Sequence, residues 1–584
     1  MEGYSNLLWV LVVAAGGLVH SDLVLVARVL GFVFTATGLG LLLASGVRRA
    51  GLAAVVFSGE AALSLALCGS VAAWSIGGLE QPLLAVLLLA AVVASESLMG
   101  AEQAPPPRAP LPMSVALGLL CIVRPDGPIF TVAAALSLFI AYGLRRASFR
   151  LACSLVLLPI VLTLAQVALR KVYYGDFLPN TYHAKGTFTW TRLLQGRKYI
   201  QDSLRPLGAI WVAGLLSLGV AVFSKALRRR TLFALVAWAL WLAYVLRIGG
   251  DIFPQRRQLV ALFALQAFLL LALLQWLWDR RGVVRFSAWL LGPVLLIWFC
   301  VAQTTDRDRR VALGDTWQWT GKPVGRFLRK VFWRQRPLAA VDAAGALPYY
   351  YELPCLDMLG LNDRYIAHHP PPDIGRGLIG HELGDGQYVL SRKPDLIAFW
   401  TPVGGDRPQW RSGREMVVQP SFREFYQATT FETDDASHTR TRLWIRRRDS
   451  RIGVQQHDDR LEVPGYLLQG AVDVVRFDPK DGLYVALKPD GAARAKDLRI
   501  SPGRFTVQVL ADHPIRVEVR EGGRTLALDD TAGSRWRPMP RGSAAWTSWC
   551  TPPPPHACAK SSCCANRRPG PPPRIPRPKS TVDR

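Results

Sequence analysis

The chain has 584 residues, of which 50% are hydrophobic and only 19% are charged. This composition excludes an intrinsically disordered polymer, and it is too apolar for an ordinary soluble globule. The formal net charge is +26, from 69 Lys and Arg against 43 Asp and Glu, and such a charge on a soluble protein would indicate nucleic-acid binding. The position of these charges along the chain decides between a membrane protein and a nucleic-acid-binding protein.

Apolar runs repeat through residues 5–302, and most are long enough to cross about 30 Å of hydrocarbon. We predict transmembrane helices over 23–45, 51–75, 80–97, 149–170, 206–224, 231–248, 258–278 and 285–302. Two further runs are irregular. Residues 6–19 are too short to cross, and 113–143 is broken by Arg124-Pro125-Asp126-Gly127, which predicts a helical hairpin with its break at one face.

The basic residues between these runs predict the orientation, because Lys and Arg accumulate in cytoplasmic loops. They lie on alternate loops if 113–143 is a hairpin: Arg48–Arg49, Arg145–Arg146 with Arg150, Lys225 with Arg228–Arg230, and Arg280–Arg281 with Arg285. These 12 residues and Asp279 together carry a net charge of +11. From Arg535 onward, ten basic residues and Asp583 carry +9, so the two groups account for +20 of the +26. The charge therefore indicates loop anchoring to a lipid bilayer and a basic tail, and we predict no nucleic-acid partner.

The sequence becomes polar after residue 302. Helix-like 321–333 and short strands at 339–343 and 396–399 predict an α/β module over 303–450. Alternating apolar and polar residues predict a β-sandwich-like module over 451–534, for which a stabilising role is preferred over carbohydrate binding. Residues 535–584 hold 12 of the 41 prolines and four of the nine cysteines, which predicts a disordered tail, with translation in a shifted reading frame as an additional hypothesis.

Charged residues at span ends are costly in a membrane and are therefore candidates for function. The candidates are Gly78–Glu80, Arg124–Gly127, Tyr174–Lys185 and Gly249–Arg257. Each one taken alone also fits simple interfacial anchoring by Tyr and Arg and helix termination by Gly and Pro. Because all of them fall on the predicted non-cytoplasmic face, we favour a common functional site.

Several segments resemble, in this order, the mycobacterial-type terminal arabinofuranosyltransferase family and its bacterial relatives: MEGYSNLLW, WSIGGLEQPLLAVLLL, CIVRPDG, YYGDFLPNTYHAKG, RIGGDIFPQRR, LDMLGLNDRYIAHH and GHELGDGQYVLSRKPDLIAF. These proteins are integral-membrane glycosyltransferases of the GT-C fold. The resemblance covers residues 2–450, and PNTYHAK and GLNDRYIA are its most specific segments. It implies a GT-C-like polytopic helical domain over 1–302, followed by extracytoplasmic modules.

The resemblance also implies an activity. A sugar, arabinofuranose in the named family, would pass with inversion from a polyprenyl-phosphate carrier to a cell-envelope glycan at the outer face of the plasma membrane. Cations must then stabilise the leaving phosphate, and a carboxylate must accept the proton of the acceptor hydroxyl. The candidate cations are Arg124, His183, Lys185, Arg256 and Arg257, the carboxylates are Asp176 and Asp251, and the remaining substrate-binding candidates are Glu2, Tyr4, Asn6, Glu80, Asp126, Asn180 and Tyr182.

A metal requirement stays undecided at this point, and no metal ligand is predicted. His368 and His369 lie near Asp357 and Asp363 in the sequence, but a role at helix ends or in loops is the preferred interpretation of these residues. No nucleotide-sugar motif or Gly-rich phosphate loop is found.

One departure from the family concerns the start of the chain. In the family, a first span and an external loop with an acidic pair, implied to be the catalytic base, precede the segment that corresponds to Glu2–Asn6. We therefore expect the sequence to be N-terminally truncated and inactive as given, with Asp251 as a weak substitute for the base. The alternatives are a non-catalytic membrane scaffold and a flippase or transporter of lipid-linked sugars. No internal repeat is visible and the polar groups lie at span ends, which favours the transferase.

Overall fold

The computed structural model describes residues 2–48, 51–99, 110–186, 188–315, 317–400, 404–458, 460–470, 472–480, 482–487, 492–499, 509, 516–521, 524–529, 545–551, 558–559 and 562–563. The chain forms two compact units. The first is Met1–Asp315 with Gly360–Leu383, and the second is Thr316–Leu359 with Gly384–Arg584. The helical unit thus continues past the predicted boundary at residue 302 and includes a segment that the sequence alone assigned to the α/β module.

The helices follow one another in this order: α1 (Leu7–Gly17), α2 (Leu23–Val47), α3 (Leu52–Ala66), α4 (Gly69–Ser75), α5 (Gln81–Met99), α6 (Leu111–Val123), α7 (Pro128–Tyr142), α8 (Arg146–Tyr174), α9 (Asn180–Lys185), α10 (Trp190–Leu204), α11 (Gly208–Phe223), α12 (Lys225–Ile248), α13 (Val260–Trp278), α14 (Val283–Thr304), α15 (Arg307–Leu313), α16 (Trp317–Phe332), α17 (Ala346–Tyr351), α18 (Arg364–His368), α19 (Gly386–Ser391), α20 (Arg411–Val417) and α21 (Pro420–Phe425). Two 3-10 turns cover Arg257–Leu259 and Gly465–Leu467.

The first unit has the lengths and composition of a multi-pass membrane domain. Among the described residues, six helices are long and apolar enough to cross a membrane, or up to eight if each of two bent pairs is one span. The pairs are α3 with α4, bent by 68°, and α10 with α11, bent by 101°. Every predicted run corresponds to one of these elements, and the predicted polytopic helical domain is confirmed. Because α13 is apolar on all sides, it is buried by its neighbours, and 94% of its most apolar window lies inside the protein.

The bend between α3 and α4 differs from the predicted unbroken span 51–75, and backbone groups at the bend have a partner elsewhere in the chain. The amide side chain of Gln303, at the end of α14, accepts from the Gly69 N–H at 2.7 Å and donates to the Leu67 carbonyl at 3.0 Å. Gln303 thus satisfies two backbone groups at the break, as a break within a membrane-spanning segment would require. A local hydropathy pattern contains no sign of this contact.

The predicted break in 113–143 lies between α6 and α7. The chain leaves α6 at Arg124 in an extended conformation and enters α7 at Pro128, whose missing N–H is not needed in a first turn. Gly127 has no side chain, and a Cβ there would clash with the Leu120 carbonyl group. The sequence therefore places Arg124 and Asp126 at a turn between two short apolar helices.

Residues at the ends of several helices identify the basic end of the first unit. Glu96 near the end of α5 accepts from Arg230 of α12 at 2.5 Å and from Ser45 of α2 at 3.1 Å. At the same end, Tyr142 donates to the Leu98 carbonyl at 2.6 Å and Gln275 donates to the Gly46 carbonyl at 3.1 Å. The predicted basic loops that follow α2, α7 and α13, and the one before α12, therefore lie at one end of the helices.

The strands belong to the second unit: β1 (Ala339–Val341), β2 (Cys355–Asp357), β3 (Leu396–Ala398), β4 (Tyr426–Glu432), β5 (Arg440–Arg446), β6 (Gln455–Gln456), β7 (Leu461–Pro464), β8 (Gln469–Gly470), β9 (Val472–Asp478), β10 (Gly482–Leu487), β11 (Ala493–Arg499), β12 (Arg516–Glu521), β13 (Arg524–Asp529), β14 (Ala545–Thr551), β15 (Cys558–Ala559) and β16 (Ser562–Cys563). One sheet has the order β15-β10-β9-β4-β5-β3-β1-β2. Two others have the orders β13-β12-β14-β11-β8 and β16-β7-β6.

The large sheet confirms the predicted α/β module and extends it. β1 is parallel to β2 and β3, and α16 packs its apolar face, including Phe327 and Phe332, on the sheet beside Phe431. β9 and β10, predicted as sandwich strands, join the same sheet through the parallel pair Phe431 and Val475. Three short strands, β14 to β16, are described within 535–584. The rest of that predicted tail lies outside the described residues, and its disorder stays a prediction.

Candidate functional site

A network of four polar side chains lies where the apolar helices α1, α5, α6 and α7 begin or end. Arg124 donates to Asp126 through Nε at 2.8 Å and Nη2 at 2.7 Å, and to Glu80 through Nη1 at 2.8 Å. Asn6 donates to the other oxygen of Glu80 at 2.9 Å. We call Asn6, Glu80, Arg124 and Asp126 the Arg124 network. The sequence predicted each member as a site residue, and the structure brings the four into direct contact.

The Arg124 network is buried, and its position is fixed by aromatic residues. Glu80 is only 5% exposed, so its charge requires the paired guanidinium. The guanidinium carbon of Arg124 lies 6.0 Å from the ring centroid of Trp241 in α12, and Tyr244 of the same helix interacts with Asp126. With two carboxylates and one guanidinium, the network carries one net negative charge.

The loop after α12 supplies a second ion pair. Arg257 donates through Nε to Asp251 at 2.6 Å, and its guanidinium lies 4.6 Å from the Phe253 ring centroid and 5.7 Å from that of Trp74. It also interacts electrostatically with Glu80. Among the described residues, the Nη1 and Nη2 groups of Arg257 have no hydrogen-bond partner. Two donors of a rigid, partly desolvated fork therefore stay available for an anion.

Arg256, the neighbouring predicted cation, is used differently. Its two Nη groups donate to the two carboxylate oxygens of Asp306 at 2.8 and 3.0 Å, and Nη2 also donates to the Asp202 carbonyl at 3.1 Å. Both side chains of the pair are less than 9% exposed. Arg256 is therefore bound within the fold, and the sequence, which offered it as a phosphate ligand, contained no sign of Asp306 as its partner.

The first residues of the chain are held against the end of α8. Glu2 is buried and forms an ion pair with the equally buried Arg170. The Tyr4 and Tyr174 hydroxyls are 3.0 Å apart, and the Glu2 carbonyl accepts from the Asn180 N–H at 3.0 Å. Glu2 and Tyr4 were predicted as substrate-binding residues, and in the structure both have partners within the protein.

Asn180 joins two segments that are far apart in the sequence. Its Nδ2 group lies 2.8 Å from the Gly360 carbonyl oxygen, 3.0 Å from that of Leu361 and 3.2 Å from that of Asp363. The PNTYHAK and GLNDRYIA segments, the most specific ones in the resemblance, are therefore in direct contact. Asp363 caps α18 by accepting from the Ile366 N–H at 2.9 Å, which agrees with a role at a helix end.

We expect Asn180→Ala to lower the free energy of unfolding by about 1–3 kcal/mol, because it leaves buried carbonyl oxygens without a donor. Asn180→Asp should be more destabilising, since its carboxylate would face three carbonyl oxygens without a proton. Thermal unfolding of the detergent-solubilised chain measures both. Equal stability of Asn180→Asp and the wild type would contradict the three contacts.

Asp176, His183 and His368 form a third group, which we call the His183 cluster. One oxygen of Asp176 lies 3.3 Å from Nε2 of His183 and 3.1 Å from Nε2 of His368, and the two imidazole ring centroids are 4.0 Å apart. Burial raises the pKa of Asp176, but the Leu178 and Phe177 N–H groups and His183 outweigh it and the net pKa is lowered. The pKa of His368 is lowered by burial and by His183.

The two remaining predicted residues flank this cluster on α9. Tyr182 is 49% exposed, and Lys185 lies against Gly380 of the second segment of the first unit. The sequence also missed partners. Arg192 and Glu382 form a buried ion pair. In the sequence, the only indication of a role for Glu382 was that it lies in GHELGDG, one of the segments that resemble the family. His368 was considered only with its neighbours in the sequence.

Comparisons with known proteins give the following matches. A family described as a domain of unknown function (DUF8728) matches residues 308–450. No curated protein matches the chain. The structure is similar to ArnT from Cupriavidus metallidurans in the apo state, with 11% identity over 78% of this chain and 89% of that chain and a TM-score of 0.47. The same protein bound to undecaprenyl phosphate is 13% identical over 61% of this chain and 76% of that chain, with a TM-score of 0.43.

A further similar structure is the arabinofuranosyltransferase AftD from Mycobacteria, with 11% identity over 94% of this chain and a TM-score of 0.39. The match covers 53% of AftD, so this chain spans about half of that protein.

Proposed function

We propose that the protein is a membrane glycosyltransferase of the GT-C type that takes its sugar from a polyprenyl-phosphate carrier and transfers it to a cell-envelope glycan. What supports this proposal is the concentration of ionised side chains, the Arg124 network and the Asp251–Arg257 pair, at helix ends opposite the basic loops of a multi-pass helical unit. Arabinofuranose as the sugar, and cell-wall biogenesis as the process, rest on the resemblance of the sequence segments.

Arg257 is the residue that we assign to the phosphate of the donor. Its two Nη groups, which have no hydrogen-bond partner in the part of the chain that the structure describes, form a fork that matches two phosphate oxygens, and Phe253 and Trp74 pack against the guanidinium. Asp251 accepts from Arg257 with one oxygen and from the Ile252 N–H, at 2.8 Å, with the other. We therefore assign Asp251 to orienting Arg257 rather than to removing a proton.

The reaction needs one bond made and one broken at the anomeric carbon. The oxygen of an acceptor hydroxyl attacks this carbon, the bond to the phosphate oxygen breaks, the hydroxyl proton passes to a carboxylate, and the lipid phosphate leaves with the bonding pair. A single displacement of this kind inverts the anomeric configuration. Arg257 would stabilise the charge that develops on the phosphate, and Glu80 and Asp126, held by Arg124, would accept hydrogen bonds from sugar hydroxyls.

Donor binding tests this function. The purified chain in detergent is titrated with a polyprenyl-phosphate arabinofuranose, with polyprenyl phosphate alone and with a neutral polyprenol. We expect the two phosphates to bind and the polyprenol to bind at least about tenfold more weakly, since a charged hydrogen bond contributes about 1.5–3 kcal/mol. Equal binding of all three lipids would reject the phosphate site.

The proposed location is the plasma membrane, with the Arg124 network and the second unit on the outer side. Lys198 of α10 is exposed, and α10 reaches the Arg256 loop through the Asp202 carbonyl. Arg145 is exposed on the loop before α8. In a background without native cysteines, we expect an impermeant maleimide to label Lys198→Cys in intact spheroplasts and Arg145→Cys only after permeabilisation. The reverse pattern would invert the proposed orientation.

A further inference from the structure

The geometry of the His183 cluster points to a function beyond glycosyl transfer: we propose that Asp176, His183 and His368 bind a transition-metal dication, with Zn²⁺ as the preferred ion. This site is independent of the proposed donor site, because none of its ligands belongs to the Arg124 network or to the Asp251–Arg257 pair.

The distances fit a small first-row ion. Ligand atoms about 2.05 Å from a tetrahedral Zn²⁺ lie about 3.3 Å apart. The Asp176 oxygen lies 3.3 Å from Nε2 of His183 and 3.1 Å from Nε2 of His368. One ligand atom from each of the three residues lies within 4.8 Å of the others. Both separations between Asp176 and the imidazole nitrogens therefore match the spacing of ligand atoms around a tetrahedral Zn²⁺.

A simple hydrogen-bonded cluster does not explain all three side chains. Nε2 of His368 lies 3.1 Å from one oxygen of Asp176, within hydrogen-bonding distance. Nε2 of His183 is buried and, among the described residues, has no hydrogen-bond partner with acceptable geometry. A buried nitrogen without a partner is costly, and a bound cation would engage its lone pair.

The ligand types select the class of metal. Two imidazoles and one carboxylate suit zinc and its first-row neighbours, whereas Mg²⁺ and Ca²⁺ prefer oxygen ligands. The three side chains are between 23% and 31% exposed, so a fourth coordination position would face solvent. A water molecule or an anionic oxygen would complete a tetrahedron there.

The protein holds the ligands in place by other means. Asp176 accepts from the Leu178 N–H at 3.3 Å through its second oxygen, which orients the carboxylate as outer partners do in metal sites. Asn180 fixes the start of α9 to the segment that leads into α18 through its contacts with Gly360, Leu361 and Asp363. His183 and His368 therefore meet without the metal, and binding would not have to order the two segments.

Metal titration of the full chain in detergent tests the site. After treatment with EDTA and removal of the chelator, Zn²⁺ is titrated and bound metal is counted by mass spectrometry. We expect one Zn²⁺ per wild-type chain, and at least about tenfold weaker binding for Asp176→Asn, His183→Gln and His368→Gln. His369→Gln is the matched control, since His369 stacks on Tyr365 at 4.1 Å and its Nδ1 lies 2.8 Å from the Tyr365 carbonyl oxygen.

X-ray absorption at the zinc edge identifies the ligands in the wild-type protein, so this measurement does not depend on the folding of any variant. We expect two imidazole ligands and a first shell of nitrogen and oxygen only. Absence of stoichiometric Zn²⁺ binding, a first shell without imidazole, or an equal loss of binding in His369→Gln would each overturn the site. Donor lipid is absent throughout, so the outcome does not depend on glycosyl transfer.

Discussion

Arg124→Met is expected to lower the free energy of unfolding by about 3–5 kcal/mol, because it removes the only guanidinium of a buried network that contains two carboxylates. Arg124 uses Nε, Nη1 and Nη2 for Glu80 and Asp126, and each of these contacts is 2.8 Å or shorter. Donor binding should be lost as well. Denaturant unfolding in detergent micelles measures the change in stability.

Two variants make this result specific. Arg329 forms an ion pair with Glu352 in which both side chains are at least 40% exposed, so Arg329→Met should cost no more than about 1 kcal/mol. Adding Glu80→Gln and Asp126→Asn to Arg124→Met removes the unpaired charges and should restore about half of the lost stability. Equal stability of Arg124→Met and Arg329→Met would contradict the description of a buried network.

Arg257→Met is expected to weaken binding of the polyprenyl-phosphate donor by about 10- to 150-fold, which corresponds to the loss of about 1.5–3 kcal/mol for a hydrogen bond to a charged group. The side chain offers two unengaged donors, and methionine retains part of its contact with Phe253 and Trp74. Isothermal titration of the solubilised chain with the donor measures the change.

The control for Arg257 is a cation at the other end of the helices. Arg145 is exposed in the loop between α7 and α8, and Arg145→Met should change donor affinity by less than about twofold. Arg257→Lys should recover only part of the binding, because an ammonium group cannot form the bidentate contact. Undiminished binding by Arg257→Met would remove Arg257 from the donor site.

The sequence predicted the helical unit well because hydropathy and length are local properties. Arg124-Pro125-Asp126-Gly127 was sufficient to predict the turn between α6 and α7, since Pro, Gly and two charges together end an apolar helix. The opposite positions of the basic loops and the polar motifs also followed from the sequence, because charge distribution decides which helix ends share a face.

Partners that lie far apart in the sequence could not be predicted. At the bend, the Leu67 carbonyl accepts from Gln303, more than 230 residues away, and the carbonyl contacts of Asn180 lie within residues 360–363. Arg256 and Arg257 are neighbours of one type, and only the structure distinguishes Arg256, bound to Asp306, from Arg257, whose Nη groups have no partner among the residues described. The position of His368 beside Asp176 and His183 is likewise visible only in the structure.

Sugar transfer in isolated membranes tests the proposed glycosyltransferase activity. Membranes that contain the protein, expressed from its complete gene in a host without such transferases, are supplied with a polyprenyl-phosphate arabinofuranose labelled in the sugar and with a cell-envelope oligosaccharide. We predict labelled oligosaccharide with an inverted anomeric linkage, and at least about tenfold less of it with Arg257→Met at donor concentrations below saturation. Donor binding without any transfer, or passage of the labelled lipid across the membrane without transfer, would contradict the account and indicate a scaffold or a flippase.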